Sequence, residues 1–194
     1  GQVNINNSYH IAANGEYDSR EDGATGDGQI AWSGYDYDSR FGGSNSNATA
    51  SYYFSTDLDH GRLAATLTWN LSVTRFSNNW YRSFYDLDLK LFDNTDSTSP
   101  TLIAHSNSET DNTENLWLAL PAGRDYMLQV TPGAGQAAFN WDYALAWRIC
   151  SDGDRDDLPD AWEVVYGLDP EDPSNQNSDP DSDGLTNIEE MNHG

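Results

Sequence analysis

Apolar and polar residues alternate strictly along the middle of the chain. The segment RLAATLTWNLSV, residues 62–73, places its large and small apolar side chains on one face: Leu63, Ala65, Leu67, Trp69 and Leu71. A period of two residues is typical of a strand with one buried face. We therefore predict a strand here whose apolar side faces a core.

The same pattern recurs along the rest of this region. In YDLDLKLF, residues 85–92, three leucines point inward while Asp86, Asp88 and Lys90 point outward. Further strands are predicted within 49–54, 115–120, 125–130 and 139–149, and a Pro-Gly turn separates the second of these from the third. Short alternating strands with turn signals between them predict an antiparallel β-sandwich or jelly roll.

The two ends of the chain differ from this middle region. Residues 1–45 are rich in Gly, Ser and Asp, and they predict loops with one or two edge strands around 30–32 rather than a helix. Two short helices are predicted near the C-terminus, in DAWEVVYG and TNIEEMNHG. We expect two units: a β-sandwich domain over 1–150 and a small tail over 151–194.

The charge of the chain excludes several partners. There are 32 acidic and 9 basic residues, which give a net charge of −23. Nucleic acids and anionic membranes attract clustered Lys and Arg, so neither is an expected partner. No 18-residue apolar run is present, so we predict no membrane span. The charge is concentrated at the C-terminus, where 14 acids after Cys150 face one base, Arg155.

The segment SDPDSDGLTNIEE explains part of this charge. Counted from Asp179, it matches the twelve-residue calcium loop D-x-[DN]-x-[DN]-G-x5-E, with Gly184 at the sharp bend. Ca²⁺ takes roughly six to eight oxygen ligands, and alternate side chains of a tight loop converge on one point. The predicted ligands are Asp179, Asp181, Asp183, the Leu185 carbonyl, Asn187 and Glu190.

A second copy of the pattern lies upstream, in DGDRDDLPDAWE. The predicted ligands are Asp152, Asp154, Asp156, the Leu158 carbonyl, Asp160 and Glu163. This loop departs from the pattern because Asp157 replaces the glycine, and we expect Asp157 to adopt a left-handed conformation. Each loop precedes a helix without following one. The alternative is an acidic, solvated tail that binds no metal.

These loops resemble the thrombospondin type 3 repeats of bacteria, in which similar calcium loops follow secreted β-domains. They are also similar to dockerins, but residues 161–162 and 188–189 depart from the Ser/Thr pair usual there, which favours the thrombospondin-type interpretation. The resemblance covers about 152–194. It implies a calcium-binding tail on a secreted or cell-surface bacterial protein.

The β-rich region is similar to the pre-peptidase C-terminal domain that follows the catalytic unit of some bacterial subtilases. The similarity covers roughly 50–149 and rests on DLDLKLF, SNSETDNTENLWLALPAGRDYMLQV and WDYALAW. It implies a non-catalytic sandwich with acidic loops that bind calcium in some relatives. The further metal candidates are Asp86, Asp88, Asp111, Asn112 and Glu114. The alternative is that these residues cap a turn and line a wet sheet face.

Two aromatic segments are candidates for ligand binding. Aromatic rings beside Asn, Asp and Arg are suited to stacking on sugars, and both segments are predicted to be polar loops. The candidates are Trp32, Tyr35, Tyr37, Trp80, Tyr81 and Arg82. The alternative is that these rings fold back over an open end of the sandwich.

No catalytic motif is present, so we expect a module that is not an enzyme. The sequence favours an extracellular accessory module that binds Ca²⁺ and a polysaccharide and spaces neighbouring modules of a larger secreted protein. Two alternatives remain open. One is a folding or targeting domain of a secreted protease, and the other is a calcium-rigidified adhesin segment that binds proteins.

Overall fold

A computed structural model describes residues 5–21, 28–42, 49–57, 60–83, 85–134 and 140–193. The strands are β1 Arg20–Glu21, β2 Ser33–Gly42, β3 Ala50–Ser55, β4 His60–Trp69, β5 Ser72–Phe76, β6 Asn79–Ser83, β7 Leu87–Asp93, β8 Thr101–Ser106, β9 Thr113–Ala119, β10 Asp125–Pro132 and β11 Asn140–Ser151. The helices are α1 Ile5–Asn14, α2 Asp160–Tyr166 and α3 Asn187–His193, with a 3₁₀ turn at Asn175–Asn177.

Two antiparallel sheets form the body of the protein. One has the strand order β1-β3-β10-β7-β8 and the other has the order β2-β11-β4-β9, while β5 and β6 form a separate hairpin. All pairings within the two sheets are antiparallel. The predicted mainly-β fold, an antiparallel sandwich, is confirmed. Among the described residues, no helix is both long and apolar enough to span a membrane.

The core lies between the two sheets and is built from the inward positions of the alternating segments. Fully buried leucines come from four strands: Leu63, Leu67, Leu87, Leu89, Leu91, Leu128 and Leu145. Trp147 is also fully buried, and its indole Nε1 donates to the carbonyl of Ala31 over 2.9 Å. Leu71 was predicted to continue the buried face of β4 but is exposed, because β4 ends at Trp69 and the chain enters the hairpin.

Before residue 45 the structure has two edge strands, β1 and β2, as the sequence predicted, but neither lies at 30–32, and the expectation of no helix was wrong. Helix α1 packs against β2 and β11. Strand β2 is longer than the edge strand predicted around 30–32 and lies after it, and its pattern was not recognised because Asp36 occupies one of its inward positions and is buried. The phenol of Tyr52 donates to Oδ2 of Asp36 over 2.6 Å and lies 2.6 Å from the phenol of Tyr143. Burial raises the pKa of Asp36 to about 6.

Two further expectations are corrected. The segment 77–83, predicted to be a polar loop, contains β6, which pairs with β5 in the hairpin. Asp86 and Asp88 were expected to point outward, but both are buried: Asp88 contacts His105 and Lys90, and Asp86 lies against Gly133.

Candidate calcium sites

The first candidate site is the loop between β11 and α2, here called loop 1 (residues 152–163). Carboxylate oxygens of Asp152, Asp154 and Asp156 all lie within 4.8 Å of one another. Strand β11 ends at Ser151, directly before this cluster, and α2 begins at Asp160 and carries Glu163. The predicted loop-helix unit without an entering helix is therefore the arrangement that the structure has.

The second candidate site, loop 2 (residues 179–190), repeats the same geometry. Carboxylate oxygens of Asp179, Asp181 and Asp183 lie within 4.8 Å of one another, and α3 carries Glu190. These are the only groups of three such ligands found among the described residues. Loop 2 is more exposed than loop 1, because Asp181 and Asp183 face solvent whereas Asp152 and Asp156 are buried.

The backbones of the two loops match position by position. The fourth and sixth residues of each loop have positive φ angles: Arg155 at 63° and Asp157 at 76° in loop 1, and Ser182 at 62° and Gly184 at 99° in loop 2. Asp157 thus takes the left-handed conformation that the sequence predicted for it. The missing glycine does not change the path of loop 1.

Main-chain hydrogen bonds orient the carboxylates of both loops in the same way. Asp152 Oδ2 accepts from the amide of Asp157 over 3.3 Å, and Asp179 Oδ2 accepts from the amide of Gly184 over 3.1 Å. Similarly, Oδ1 of Asp156 accepts from Leu158 and Oδ1 of Asp183 accepts from Leu185. The main chain of each loop therefore orients its acidic side chains through hydrogen bonds of its own.

Several carboxylate oxygens in these loops are buried without a hydrogen-bond partner. They are Asp154 Oδ2, Asp156 Oδ2, Glu163 Oε2 and Asp179 Oδ1. Glu163 is the clearest case, because its relative exposure is 0%. A buried charged oxygen without a partner is costly, and a cation is the partner that a group of such oxygens accepts. The residues present fit a hard divalent ion such as Ca²⁺, which binds oxygen ligands only.

The electrostatics of loop 1 lead to the same conclusion. Burial raises the pKa of Glu163 to about 7, and the carboxylates of Asp154, Asp156 and Asp160 also raise it, against a hydrogen bond from Asn175. Burial likewise raises the pKa of Asp152 to about 6. In loop 2, burial and the three aspartates raise the pKa of Glu190. The acids are thus gathered where their charges are unfavourable unless positive charge lies among them.

Two predicted ligands make other contacts in the structure. Asp160 Oδ1 accepts a hydrogen bond from the amide of Gly153 over 2.8 Å, at the start of loop 1. Asn187 is buried and donates from Nδ2 to the carbonyl of Asn175 over 2.7 Å, which leaves its Oδ1 as the atom suited to a cation. The carbonyls of Leu158 and Leu185 remain predicted ligands.

The acidic metal candidates of the β-domain do not form a group of three converging ligand atoms among the described residues, although the charges of Asp88 and Glu114 act on Asp86. Asp111 accepts from the hydroxyl of Ser108, and Asn112 donates to the carbonyl of Trp69, so both hold turns or strand ends. Asp88 contacts His105 and Lys90. Glu114 accepts from the Ser106 hydroxyl and the Ser108 amide.

Asp86 is buried beside Gly133, and its Oδ1 has no hydrogen-bond partner among the described residues. Burial raises the pKa of Asp86 to about 6, and Asp88 and Glu114 raise it as well. A metal site at these residues stays a prediction.

The aromatic candidates lie on two separate elements. Tyr35 and Tyr37 are exposed on β2, not in a loop, and Trp32 donates from Nε1 to the carbonyl of Ser55. Trp80 and Tyr81 are exposed on β6, where the guanidinium of Arg75 lies 5.6 Å from the centre of the Trp80 ring. The side chain of Arg82 lies outside the described part of the chain.

Sequence reasoning missed three residues that the structure connects to the loops. Asn175 donates from Nδ2 to Glu163 Oε1. Arg62 donates from Nη1 to the carbonyl of Asp157 over 2.6 Å, and its guanidinium lies 5.1 Å from the centre of the Trp117 ring. Of these three residues, only Trp117 could have been noticed in the sequence, because it occupies an outward position of the alternating segment 115–120.

No protein-family model and no curated protein sequence matches the chain. Among solved structures, the chain is similar to PliG, a periplasmic inhibitor of g-type lysozyme from Aeromonas hydrophila, with a TM-score of 0.38 and 18% identity over 62% of this chain and 93% of that one. It is also similar to a mitogen derived from Yersinia pseudotuberculosis, with a TM-score of 0.29 and 13% identity over 53% of this chain and 84% of that one. Likeness at this level carries no functional argument.

Proposed function

We propose that this chain is a non-catalytic calcium-binding module of a secreted or cell-surface protein. Two Ca²⁺ ions, one in each loop, hold the C-terminal segment in a fixed shape beside the sandwich. The observation that carries the proposal is the fully buried carboxylate of Glu163, whose Oε2 has no hydrogen-bond partner beside the converging aspartates of loop 1. The matching backbone of loop 2 supports a second site.

The residues that would hold the ions are those of the two repeated patterns. In loop 1, Asp152, Asp154, Asp156 and Glu163 supply carboxylates, and in loop 2 the corresponding groups are those of Asp179, Asp181, Asp183 and Glu190. Bound Ca²⁺ supplies positive charge that offsets the repulsion among these acids. The more exposed loop 2 suits the weaker affinity of extracellular calcium modules, which bind in the range of about 0.1–1 mM.

An accessory role fits the chemistry of the remaining side chains. Burial raises the pKa of the Cys150 thiol, so it is not an activated nucleophile. The resemblances to thrombospondin type 3 repeats and to the pre-peptidase C-terminal domain favour a bacterial, extracellular setting. In that role the module spaces neighbouring modules of a larger secreted protein and binds polysaccharide.

Isothermal titration calorimetry with calcium chloride tests the proposal. We expect two sites in the wild-type protein, with Glu163→Gln removing the loop 1 site and Glu190→Gln removing the loop 2 site. The matched control is Glu171→Gln, which makes the same change at an exposed glutamate between the loops. The proposal is wrong if the wild-type protein binds no calcium at millimolar concentration. It is also wrong if Glu163→Gln binds as many calcium ions as the control Glu171→Gln.

A further inference from the structure

The outer face of the four-stranded sheet has a flat floor of small side chains. In the register, Tyr37 lies opposite Ala144 and Tyr35 lies opposite Ala146 on the neighbouring strand β11. These alanines in turn lie opposite Thr68 and Thr66 of β4. The two central strands of this sheet therefore present only alanine and threonine over this stretch, and nothing tall stands in the middle.

Large aromatic side chains stand on both edges of the sheet. Tyr35 and Tyr37 stand beside this floor, and Trp117 stands on the other edge one row further toward Ser33, level with Ala64 and Arg148 of the central strands. On the β2 edge, Tyr35 and Tyr37 have relative exposures of 37% and 51%, and on the β9 edge Trp117 has 46%. Three strand spacings separate β2 from β9, which is about 14 Å. We call this surface the outer trough and define it by Tyr35, Tyr37, Ala144, Ala146, Thr66 and Trp117. Helix α1 packs against β2 and β11 near Ser33 and bounds the trough at that end.

Polar groups are fixed in place at the opposite end of the trough. A cleft of about 220 Å³ lies there, with Tyr37, Asn70, Asn112 and Asp142 among its lining residues. Oδ2 of Asp142 accepts hydrogen bonds from the phenol of Tyr37 over 3.0 Å and from Nδ2 of Asn70 over 2.7 Å. The carboxylate is thereby held in one orientation at the end of the aromatic edge.

The rows of Tyr35 and Tyr37 across this sheet carry no charged outward side chain, in a protein of net charge −23, and the charged groups lie at the two ends of the trough. Among the described outward side chains of this sheet, the charged groups are Arg62, Arg148 and Asp142. An anionic polymer gains little from such a face and is repelled by the body around it. A protein partner usually buries large apolar side chains at the centre of its contact, where this floor has only alanine and threonine. The charge and shape thus favour a thin, uncharged occupant.

We propose that the outer trough binds an extended, uncharged polysaccharide chain. The C–H faces of the sugar rings pack on Tyr35, Tyr37 and Trp117, while their hydroxyl groups exchange hydrogen bonds with Thr66 and Asp142. This inference deepens the proposed accessory role and rests on its polysaccharide-binding part. It names the surface and the class of ligand, and it does not use the hairpin that carries Trp80.

The same surface is connected to loop 1. The guanidinium of Arg62 lies over Trp117 and also donates to the carbonyl of Asp157, the sixth residue of loop 1. An ion that fixes the conformation of loop 1 therefore also fixes the position of Arg62, on which Trp117 packs. We expect polysaccharide binding to weaken when calcium is chelated, even though the trough itself contains no calcium ligand.

Affinity electrophoresis in calcium-containing gels tests this inference. The probes are galactomannan, xylan and a soluble β-glucan as uncharged polysaccharides, with hyaluronan as the acidic one. We expect at least one uncharged probe to retard the wild-type protein and hyaluronan not to do so. Trp117→Ala and Tyr37→Ala should each weaken that retardation about tenfold. The matched control is Trp80→Ala, which removes an exposed tryptophan from the hairpin and should bind like the wild type.

Three outcomes would overturn the inference: no retardation by any of the uncharged probes, retardation by hyaluronan alone, or loss of binding in Trp80→Ala but not in Trp117→Ala. Calorimetry with calcium on the same preparations keeps the two proposals distinguishable. Two calcium sites in a Trp117→Ala variant that no longer binds glycan show that the fold is intact. Two calcium sites in a wild-type protein that binds no glycan would reject the trough and leave the calcium proposal standing.

Discussion

Asn175 donates a hydrogen bond from its Nδ2 to Oε1 of Glu163 over 2.8 Å. The main-chain carbonyl of the same asparagine accepts a hydrogen bond from Nδ2 of Asn187 over 2.7 Å. Glu163 closes loop 1 and Asn187 belongs to loop 2, and all three residues are buried. One residue between the loops therefore joins them, and neither loop is expected to behave as an independent binding site.

Substitution of Asn175 tests this connection. Asn175→Ala removes the donor to Glu163, and a buried carboxylate that loses a hydrogen bond costs about 1–3 kcal/mol. We expect a lower free energy of unfolding and weaker calcium binding at loop 1, measured by urea titration and by calorimetry. Asn177→Ala is the control, because Asn177 is exposed in the same 3₁₀ turn. Equal effects of the two substitutions would argue against the connection.

Removal of calcium should lower the melting temperature. Ligand at 100 times its dissociation constant stabilises a protein by about 2.7 kcal/mol per site, and each kcal/mol shifts the melting temperature of a chain of this size by roughly 2–4 °C. We therefore expect a fall of at least about 5 °C when EGTA replaces excess calcium, and full recovery when calcium is restored. The double variant Glu163→Gln, Glu190→Gln serves as the control and should melt alike in both buffers. A wild-type melting temperature that is the same with EGTA and with calcium would contradict calcium binding at both sites.

Asp157→Gly should stabilise loop 1. Asp157 has a φ of 76°, a region that is unfavourable for residues with a Cβ, and it adds a carboxylate to an acidic cluster. Its side chain lies 3.7 Å from Arg62, but it is 55% exposed, so that ion pair contributes little. We expect a gain of about 0.5–1 kcal/mol in the free energy of unfolding at saturating calcium.

The reverse substitution in loop 2 is the matched test. Gly184 has a φ of 99° and occupies the position equivalent to Asp157, with open space where a Cβ would lie. Gly184→Asp should therefore destabilise the protein through backbone strain and added negative charge, not through a clash. If both substitutions shift stability in the same direction, the equivalence of the two positions is wrong.

Asp36→Asn should show that the charge of Asp36 lowers the free energy of unfolding at high pH. Burial raises the pKa of Asp36 to about 6 in the folded protein, from 3.8 in the reference state. The folded state therefore favours the protonated acid. The stability that protonated Asp36 provides is fully present below about pH 4 and is lost as the pH rises through 6. The asparagine has no charge to lose, and its Oδ1 can still accept from Tyr52.

We expect Asp36→Asn to be more stable than the wild-type protein at pH 8, by on the order of 3 kcal/mol, and nearly equal to it at pH 4. Urea titrations of both proteins at the two pH values measure the difference. Because the calcium loops are identical in the two proteins, their own titration cancels in the comparison. A stability difference that does not change between pH 8 and pH 4 would show that the charge of Asp36 is not the cause.

Local patterns predicted the sandwich and the two loops because the information needed was local. Alternation identified β4, β7 and β11, and the spacing of acidic residues identified the predicted ligands. The position and length of edge strand β2 were not predicted, because a buried hydrogen-bond network, not an apolar contact, occupies the inward position of Asp36. Tyr35 and Tyr37 face solvent while Asp36 faces the core, which is the reverse of the usual alternation.

The contacts around the loops could not be predicted, because they depend on residues distant in sequence. Arg62 and Asp157 are 95 residues apart, and no spacing rule joins them. Asn175 lies in a segment of Pro, Ser and Asn that reads as a linker. The outer trough likewise requires β2 and β9 to be placed on opposite edges of one sheet, which follows from the order of the strands and not from either sequence segment.

Loop 1 follows β11 directly, and β11 is hydrogen-bonded along its length to β2 on one side and β4 on the other. A tensile load applied through the C-terminal segment therefore enters the sandwich at the end of a central strand and runs along its axis. Both ladders of hydrogen bonds must then shear together, since the strand has no exposed edge from which it can be peeled. With calcium bound, loop 1 would act as the rigid coupling through which the sandwich bears mechanical force.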